Sequence, residues 1–312
     1  MRIGTRGSAL ALWQARTVAR LIRDTGGPEC EIVVIKTSGD ESSGPPDAPR
    51  AVDNVKRAFV KEIEDALLAG RVDLAVHSAK DLPGELPAGL HIGAALERED
   101  PRDALLLPAG ENARGFDLTV AALGDSPRIG TSSVRRTAEL RAVFPLARFL
   151  PIRGNVDTRL RKLDAGECDV LVLAVAGVKR LGLEARISAV LPVDVCLPAP
   201  GQGIVAVEIA DGCAPATRAA VKRISDADGE AMLAAERALV VALGGGCEMP
   251  LGALAALDEH DLTIQAVVAS RDGQTMIRAS VSGNRGGAAA AGDKLAAELL
   301  AKGAGKHLLS RE

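Results

Sequence analysis

The sequence predicts an α/β fold with largely parallel sheets, followed by a small α+β domain near the C-terminus. Three observations predict it. Short apolar runs alternate with amphipathic helical stretches through most of the 312 residues, the pattern of strand–helix–strand units. Polar and cationic residues recur where those strands end. After about residue 228 the alternation gives way to three successive strand patterns and a helix.

Taken in order, a first strand ends before Arg6, and Ser8 begins a helix over Ala9–Asp24 that carries Gln14. Glu31–Lys36 reads as a strand, and the Gly-, Pro- and Ser-rich stretch 38–54 follows it without apolar periodicity. A structureless stretch of that length inside a domain is usually functional or disordered. A helix over Val60–Ala69, strands at Leu74–His77 and His91–Leu96, and a helix over Val134–Val143 come next. Val156–Ala165 reads as a helix and Asp169–Leu173 as a strand. A second break lies around 211–228, and a helix over Gly229–Leu243 then leads into Gly244-Gly245-Gly246-Cys247. Strands at Leu251–Leu257, Leu262–Ser270 and Thr275–Ser282 precede an alanine-rich helix, Ala288–Lys302.

Composition excludes several classes. Thirty-eight Lys and Arg against 41 Asp and Glu give a net charge of -3, so no global field favours nucleic acid or an anionic membrane. With aromatic content at 2%, no Tyr and one Trp, a base-stacking platform is disfavoured. Five widely spaced cysteines (30, 168, 196, 213 and 247) and four histidines form no CxxC pair and no metal constellation. No metal is expected. Met1-Arg2-Ile3-Gly4-Thr5-Arg6 lacks an apolar leader and no later segment is long and apolar enough to span a bilayer, which reads as a cytoplasmic protein with reduced thiols.

The chemistry-bearing residues cluster at strand ends, where ligands bind in open α/β sheets. Arg6 and Ser8 follow the first strand, and Ser78, Lys80 and Asp81 follow another. Gly130-Thr131-Ser132-Ser133-Val134-Arg135-Arg136 and Arg153-Gly154-Asn155-Val156-Asp157-Thr158-Arg159 each open a helix. Their hydroxyl and amide side chains suit N-caps, and their arginines suit carboxylate or phosphate. Arg135 and Arg136, adjacent on one helix turn, are expected to point in different directions and so to reach two separate anions. Three cationic turns in a net-acidic chain suggest a cleft for a polyanion. Asp81 reads either as a turn aspartate paired to a neighbouring cation or as a carboxylate that stabilises a developing positive charge. His77 reads as a satisfied strand-end histidine. Cys247, after three glycines, is a presented thiol, whereas Cys30, Cys168, Cys196 and Cys213 read as small core residues.

These motifs coincide with a known family. The segments Ile3-Gly4-Thr5-Arg6-Gly7-Ser8-Ala9-Leu10, Val76-His77-Ser78-Ala79-Lys80-Asp81-Leu82-Pro83, Glu97-Arg98-Glu99-Asp100-Pro101-Arg102-Asp103, the two arginine turns, Val178-Lys179-Arg180-Leu181-Gly182, Pro200-Gly201-Gln202-Gly203 and Gly245-Gly246-Cys247 appear in one order. In these the chain resembles the porphobilinogen deaminases, or hydroxymethylbilane synthases, of tetrapyrrole biosynthesis. The resemblance implies two similar domains like type-2 periplasmic binding proteins, about 1–98 with 203–222 and about 99–202, plus a small α+β domain of about 223–312.

It further implies a transferase that joins four porphobilinogen molecules with loss of ammonia, primed by a dipyrromethane cofactor held through a thioether to Cys247. By position, Asp81 matches the catalytic carboxylate. Lys80, Asp81, Thr131, Ser132, Ser133, Arg135, Arg136, Arg153, Gly154 and Gln202 match cofactor contacts. Arg6, Ser8, Gln14, Arg153, Arg159, Arg180 and Phe59 match substrate contacts. The family precedent is a monomer acting on a small molecule, with no nucleic acid and no membrane. Residues about 40–58 resemble a mobile lid, although Lys56-Arg57-Ala58-Phe59 stands where members show Lys-Gly-Leu-Phe. Two other readings stay open: a non-catalytic anion-binding module of the same two-lobed fold, and a deaminase of low activity because of that altered lid.

Overall fold

β1 (Arg2–Thr5) and β2 (Glu31–Val34) run parallel, joined by helix α1 (Ala9–Asp24) in a right order for an α/β unit. The structure, a computed structural model, describes residues 1–37, 57–111, 114–244 and 250–308, with 57–59 described in backbone only. β3 (Leu74–Ser78) follows α2 (Arg57–Leu68) and pairs parallel to β1. β4 (Leu90–Ala95) closes the first run, after which the chain crosses to a second sheet.

That second sheet holds β5 (Asp103–Leu106), β6 (Arg128–Gly130), β7 (Arg148–Leu150), β8 (Val170–Ala174) and the short β9 (Ala189–Val190), with helices α3 (Phe116–Leu123), α4 (Val134–Leu140), α5 (Val156–Asp164) and α6 (Val175–Arg180) between its strands. Its order is β7-β6-β8-β5-β9. The chain then returns to the first sheet as β10 (Val205–Ala210), giving β2-β1-β3-β10-β4. Each five-stranded sheet therefore has four parallel strands and one antiparallel strand in the fourth position. In both cases the antiparallel strand is the one that arrives from the other lobe. This is the reason the sheets are mixed and not uniformly parallel. A strand delivered across a crossing enters its sheet from the opposite end.

Packing follows the period-two rule. In β8, Val170 and Val172 face one core while Leu171 and Leu173 face another, and Leu105 and Leu106 of β5 divide the same way. Both faces of this sheet are thus covered, which is why its strands read as continuous apolar runs. The stretch read as a break at 211–228 contains helix α7 (Pro215–Arg223), started by a proline at its first turn. Helix Val134–Leu140 stops before the expected Val143.

A third sheet, β11 (Leu251–Asp258), β12 (Asp261–Ala269) and β13 (Met276–Asn284), is antiparallel throughout. Helices α8 (Ala227–Ala242) and α9 (Ala288–Ala301) cover it, and Leu239, Ile264 and Leu295 lie fully buried between them. Cys168 and Cys196 are core residues as expected, but Cys30 and Cys213 are only half-buried. Cys30 stands just before the edge strand β2 and Cys213 in the turn before α7, where neither is covered on all sides.

Candidate active site

The site forms where the two crossings meet. Residues 96–99 and 203–205 run side by side, with Leu96 N–H donating to Val205 O at 3.0 Å and Glu99 N–H to Gly203 O at 3.1 Å. Gly201, at φ +75°, lies so close to the Ala79–Lys80 backbone that a Cβ there would overlap it. The second crossing is thereby pressed against the turn that carries Lys80 and Asp81.

Local sequence explains how each turn is held. Ser8 caps α1 by accepting from Ala11 N–H, Ser133 caps the helix Val134–Leu140 by accepting from Arg136 N–H, and Asn155 caps Val156–Asp164 by accepting from Thr158 N–H. Thr131 is buried and accepts from Ser133 N–H at 3.2 Å, and exposed Ser132 donates to Ile152 O at 3.1 Å. Gln14, buried on α1, donates to Ser78 Oγ at 2.9 Å and so ties the first helix to the strand end before Lys80. His77 is buried with its Nε2 3.1 Å from Glu208 Oε2, a satisfied strand histidine as expected.

Electrostatics distinguish this place from the rest of the surface. Lys80 donates to Gln202 Oε1 at 3.1 Å. Burial, reinforced by the Arg136 charge and only partly offset by Asp81 and Asp103, pushes its ammonium down to about 8. Arg159 is pushed down to about 10 by burial and by Arg136, with Asp81 opposing. Asp81 is therefore close enough to act on both cations. Arg136 is 6% exposed, and its buried Nε has no partner among the described residues. The arrangement is an excess of buried positive charge around one half-buried carboxylate, which is costly until anions enter it.

Arg135 and Arg136 do not diverge as the helix turn suggested. Both guanidiniums converge on Asp103, Arg135 Nη2 at 2.7 Å from Oδ2 and Arg136 Nη2 at 2.6 Å from Oδ1. A fully buried aspartate between them gathers both forks on one side. Burial would raise the Asp103 carboxyl, but the two guanidiniums overcome it and hold it well below the usual carboxylate range. Arg135 also donates to Leu197 O at 2.6 Å and lies 3.5 Å from Glu139 Oε1. In sequence Asp103 has no site role of its own: it is the last residue of the Glu97–Asp103 motif and the acid that opens an apolar run.

The remaining expected residues lie around this centre. Arg6 is half-buried in the turn after β1, Arg153 and Gly154 are exposed, and Gly154 has φ +116°. Arg159 also donates from Nε to Gly154 O at 2.7 Å. Arg180 donates to Gly203 O at 2.6 Å, and its guanidinium stands 5.5 Å from the centre of the Trp13 ring, joining the two lobes. Cys247 and residues 40–56 of the expected lid, about 40–58, lie outside the described residues, as does the Phe59 side chain, while residues 57 and 58 begin helix α2.

The fold and the site together define a two-lobed α/β protein whose strand-end turns gather buried cations around Asp81, followed by a separate α+β unit. Residues 1–217 match the family described as "Porphobilinogen deaminase, dipyromethane cofactor binding domain", and residues 231–301 match "Porphobilinogen deaminase, C-terminal domain". The chain belongs to the porphobilinogen deaminase family. The porphobilinogen deaminase of Syntrophomonas wolfei is 46% identical over 304 residues, spanning 97% of this chain and 96% of that protein. That of Roseiflexus castenholzii is 44% identical over 312 residues, spanning 99% and 98%. Among solved structures, the immunogenic lipoprotein A of Vibrio vulnificus superposes at TM-score 0.45 and 15% identity, covering 72% of this chain and 94% of that one; the fold class rests on the strand order itself.

Proposed function

We propose that this chain joins four porphobilinogen molecules head to tail, with release of ammonia, to give hydroxymethylbilane, and that Asp81 is its catalytic carboxylate. The observation that carries the reading is the surplus of buried cations around Asp81. Each pyrrole of substrate and product bears an acetate and a propionate, so a growing chain brings the negative charge this cleft lacks. The orphaned Arg136 Nε and the depressed Lys80 fit a ligand rich in carboxylates. A dipyrromethane, when bound, supplies a tethered primer that is itself such a polyanion.

In this reading Cys247 holds the primer through a thioether, and Lys80, Arg135, Arg136 and Arg153 surround its carboxylates. Thr131, Ser132, Ser133, Gly154 and Gln202 shape that wall. Arg6, Ser8, Arg159 and Arg180 take carboxylates of incoming substrate, with Gln14 holding the adjoining turn and Phe59 at the lid end. Loss of ammonia leaves positive charge on a pyrrole. Asp81, with Lys80 and Arg159 as its neighbours, faces that charge, stabilises it and holds the proton that must leave when the rings join.

We further read residues 1–98 with 203–222, 99–202 and 223–312 as three domains; each sheet with its own core supports that division. A monomer in the cytoplasm, without nucleic-acid or membrane partners, goes with this reading. It is supported by the near-neutral charge, and among the described residues no helix is long and apolar enough to cross a membrane.

Intact-protein mass spectrometry after exposure to porphobilinogen tests the reading. One covalent dipyrromethane, lost in Cys247→Ser and mapped to the Cys247 peptide, is the expected result. A chain that stays unmodified would point instead to the anion-binding module.

A further inference from the structure

Asp103 is the first residue of β5, placed immediately after the first crossing, and it is wholly buried. Besides the two arginines, its Oδ1 accepts from Gln202 Nε2 at 2.8 Å. The same Nε2 donates to Pro101 O at 2.6 Å. An amide nitrogen has two hydrogens, and both are used here. The other end of the Gln202 side chain must therefore be the carbonyl, and it is this Oε1 that accepts from Lys80 Nζ at 3.1 Å. Assigning the amide the other way round would set an oxygen against the Asp103 carboxylate and the Pro101 carbonyl, and an NH₂ against an ammonium.

A line of side chains thus runs from lobe 2 through the second crossing to lobe 1: Asp103, Gln202, Lys80. Its polarity is set at one end by the carboxylate. We propose that Asp103 is a positioning residue for the deaminase reaction: it orients the Gln202 amide so that Lys80 is held beside Asp81, while its two oxygens set the forks of Arg135 and Arg136. One buried carboxylate thereby aligns the cationic wall of lobe 2 with the Asp81 turn of lobe 1. The inference rests on the proposed function for its chemical purpose, but its geometry is independent of turnover.

Among the described residues, the charged groups acting on Lys80 are Arg136, Asp81, Asp103 and Arg135. If Asp103 sets its surroundings, removing that charge lowers the Lys80 titration midpoint further, because the two arginines remain and the Gln202 amide is freed to turn. The test uses the full-length chain prepared without porphobilinogen and labelled with [ε-13C]lysine, the Lys80 signal being assigned by its loss in Lys80→Arg. Asp103→Asn is expected to shift the midpoint below that of the parent chain. Gln202→Met, which leaves Asp103 on both arginines and keeps the side-chain volume, is expected to shift it in the same direction. It decides the matter if Asp103→Asn does not fold. An unchanged Lys80 midpoint in folded Gln202→Met, or in folded Asp103→Asn, overturns the proposal. Failure of the deaminase reading would appear separately, as a chain that takes up no dipyrromethane while the Lys80 shifts persist.

Discussion

Arg98 and Glu236 meet in a two-pronged ion pair, Nη1 to Oε1 at 2.8 Å and Nη2 to Oε2 at 2.9 Å, with the carboxylate fully buried. Arg98 lies on the first crossing. Glu236 comes from α8, beneath the third sheet. The same carboxylate accepts from Gly201 N–H at 2.5 Å on the second crossing and from Ala255 N–H at 2.7 Å on β11. One side chain therefore fastens the unit that leads to Cys247 onto both segments linking the lobes.

Glu236→Ala is expected to be strongly destabilising, since it strands the Arg98 charge and two backbone donors in the interior. Breaking one partner of a buried pair costs about 3–5 kcal/mol. Chemical denaturation should show a loss of that order, and the third unit should become the first to exchange its amides.

Asp81→Asn preserves shape and removes one negative charge. Thermal unfolding and attachment of dipyrromethane should be near those of the parent chain, while formation of hydroxymethylbilane falls by roughly a hundredfold or more, the scale of a lost acid–base group. Turnover close to the parent's in a folded Asp81→Asn chain would remove Asp81 from its assigned role.

For Arg136→Leu, folding should survive because Asp103 retains Arg135 and Gln202. Carboxylate binding should not. Hydrogen bonds to charged groups contribute about 1.5–3 kcal/mol each, so primer assembly or substrate affinity should weaken roughly ten- to hundredfold. Mass spectra of the variant exposed to porphobilinogen, read alongside equilibrium binding, would reveal normal assembly if this is wrong.

Lys80 sets a pH dependence. With its ammonium at about 8 in the free chain, entry of carboxylates must raise it, so binding takes up a proton just above that pH. Affinity is then greatest below about pH 8 and declines as pH rises toward the bound-state value. In the free chain the sign is opposite: the folded state holds Lys80 below its unfolded value, so this group favours folding increasingly as pH rises from about 8 toward the ordinary lysine range. Calorimetric titration in buffers of different ionisation enthalpy should detect the uptake, and Lys80→Met should abolish it.

Local patterning along the chain specifies the alternation of strands and helices, the third unit's separate pattern, and the capped turns at Ser8, Ser133 and Asn155. These depend on periodicity and on hydrogen bonds spanning three residues, so nearby side chains suffice to specify them. The long motifs likewise carried the family and the place of Asp81. Which cations are neutralised within the protein depends on contacts between distant parts of the chain. Arg135 and Arg136 find Asp103 more than thirty residues away, and Gln202 reaches it across 99. Those meetings depend on β5 lying antiparallel beside β8, and on the second crossing returning past its start. No local pattern encodes that adjacency. It arises from burying both faces of a sheet whose fourth strand comes from the other lobe, and it makes an aspartate at the edge of an apolar run the centre of the cationic wall.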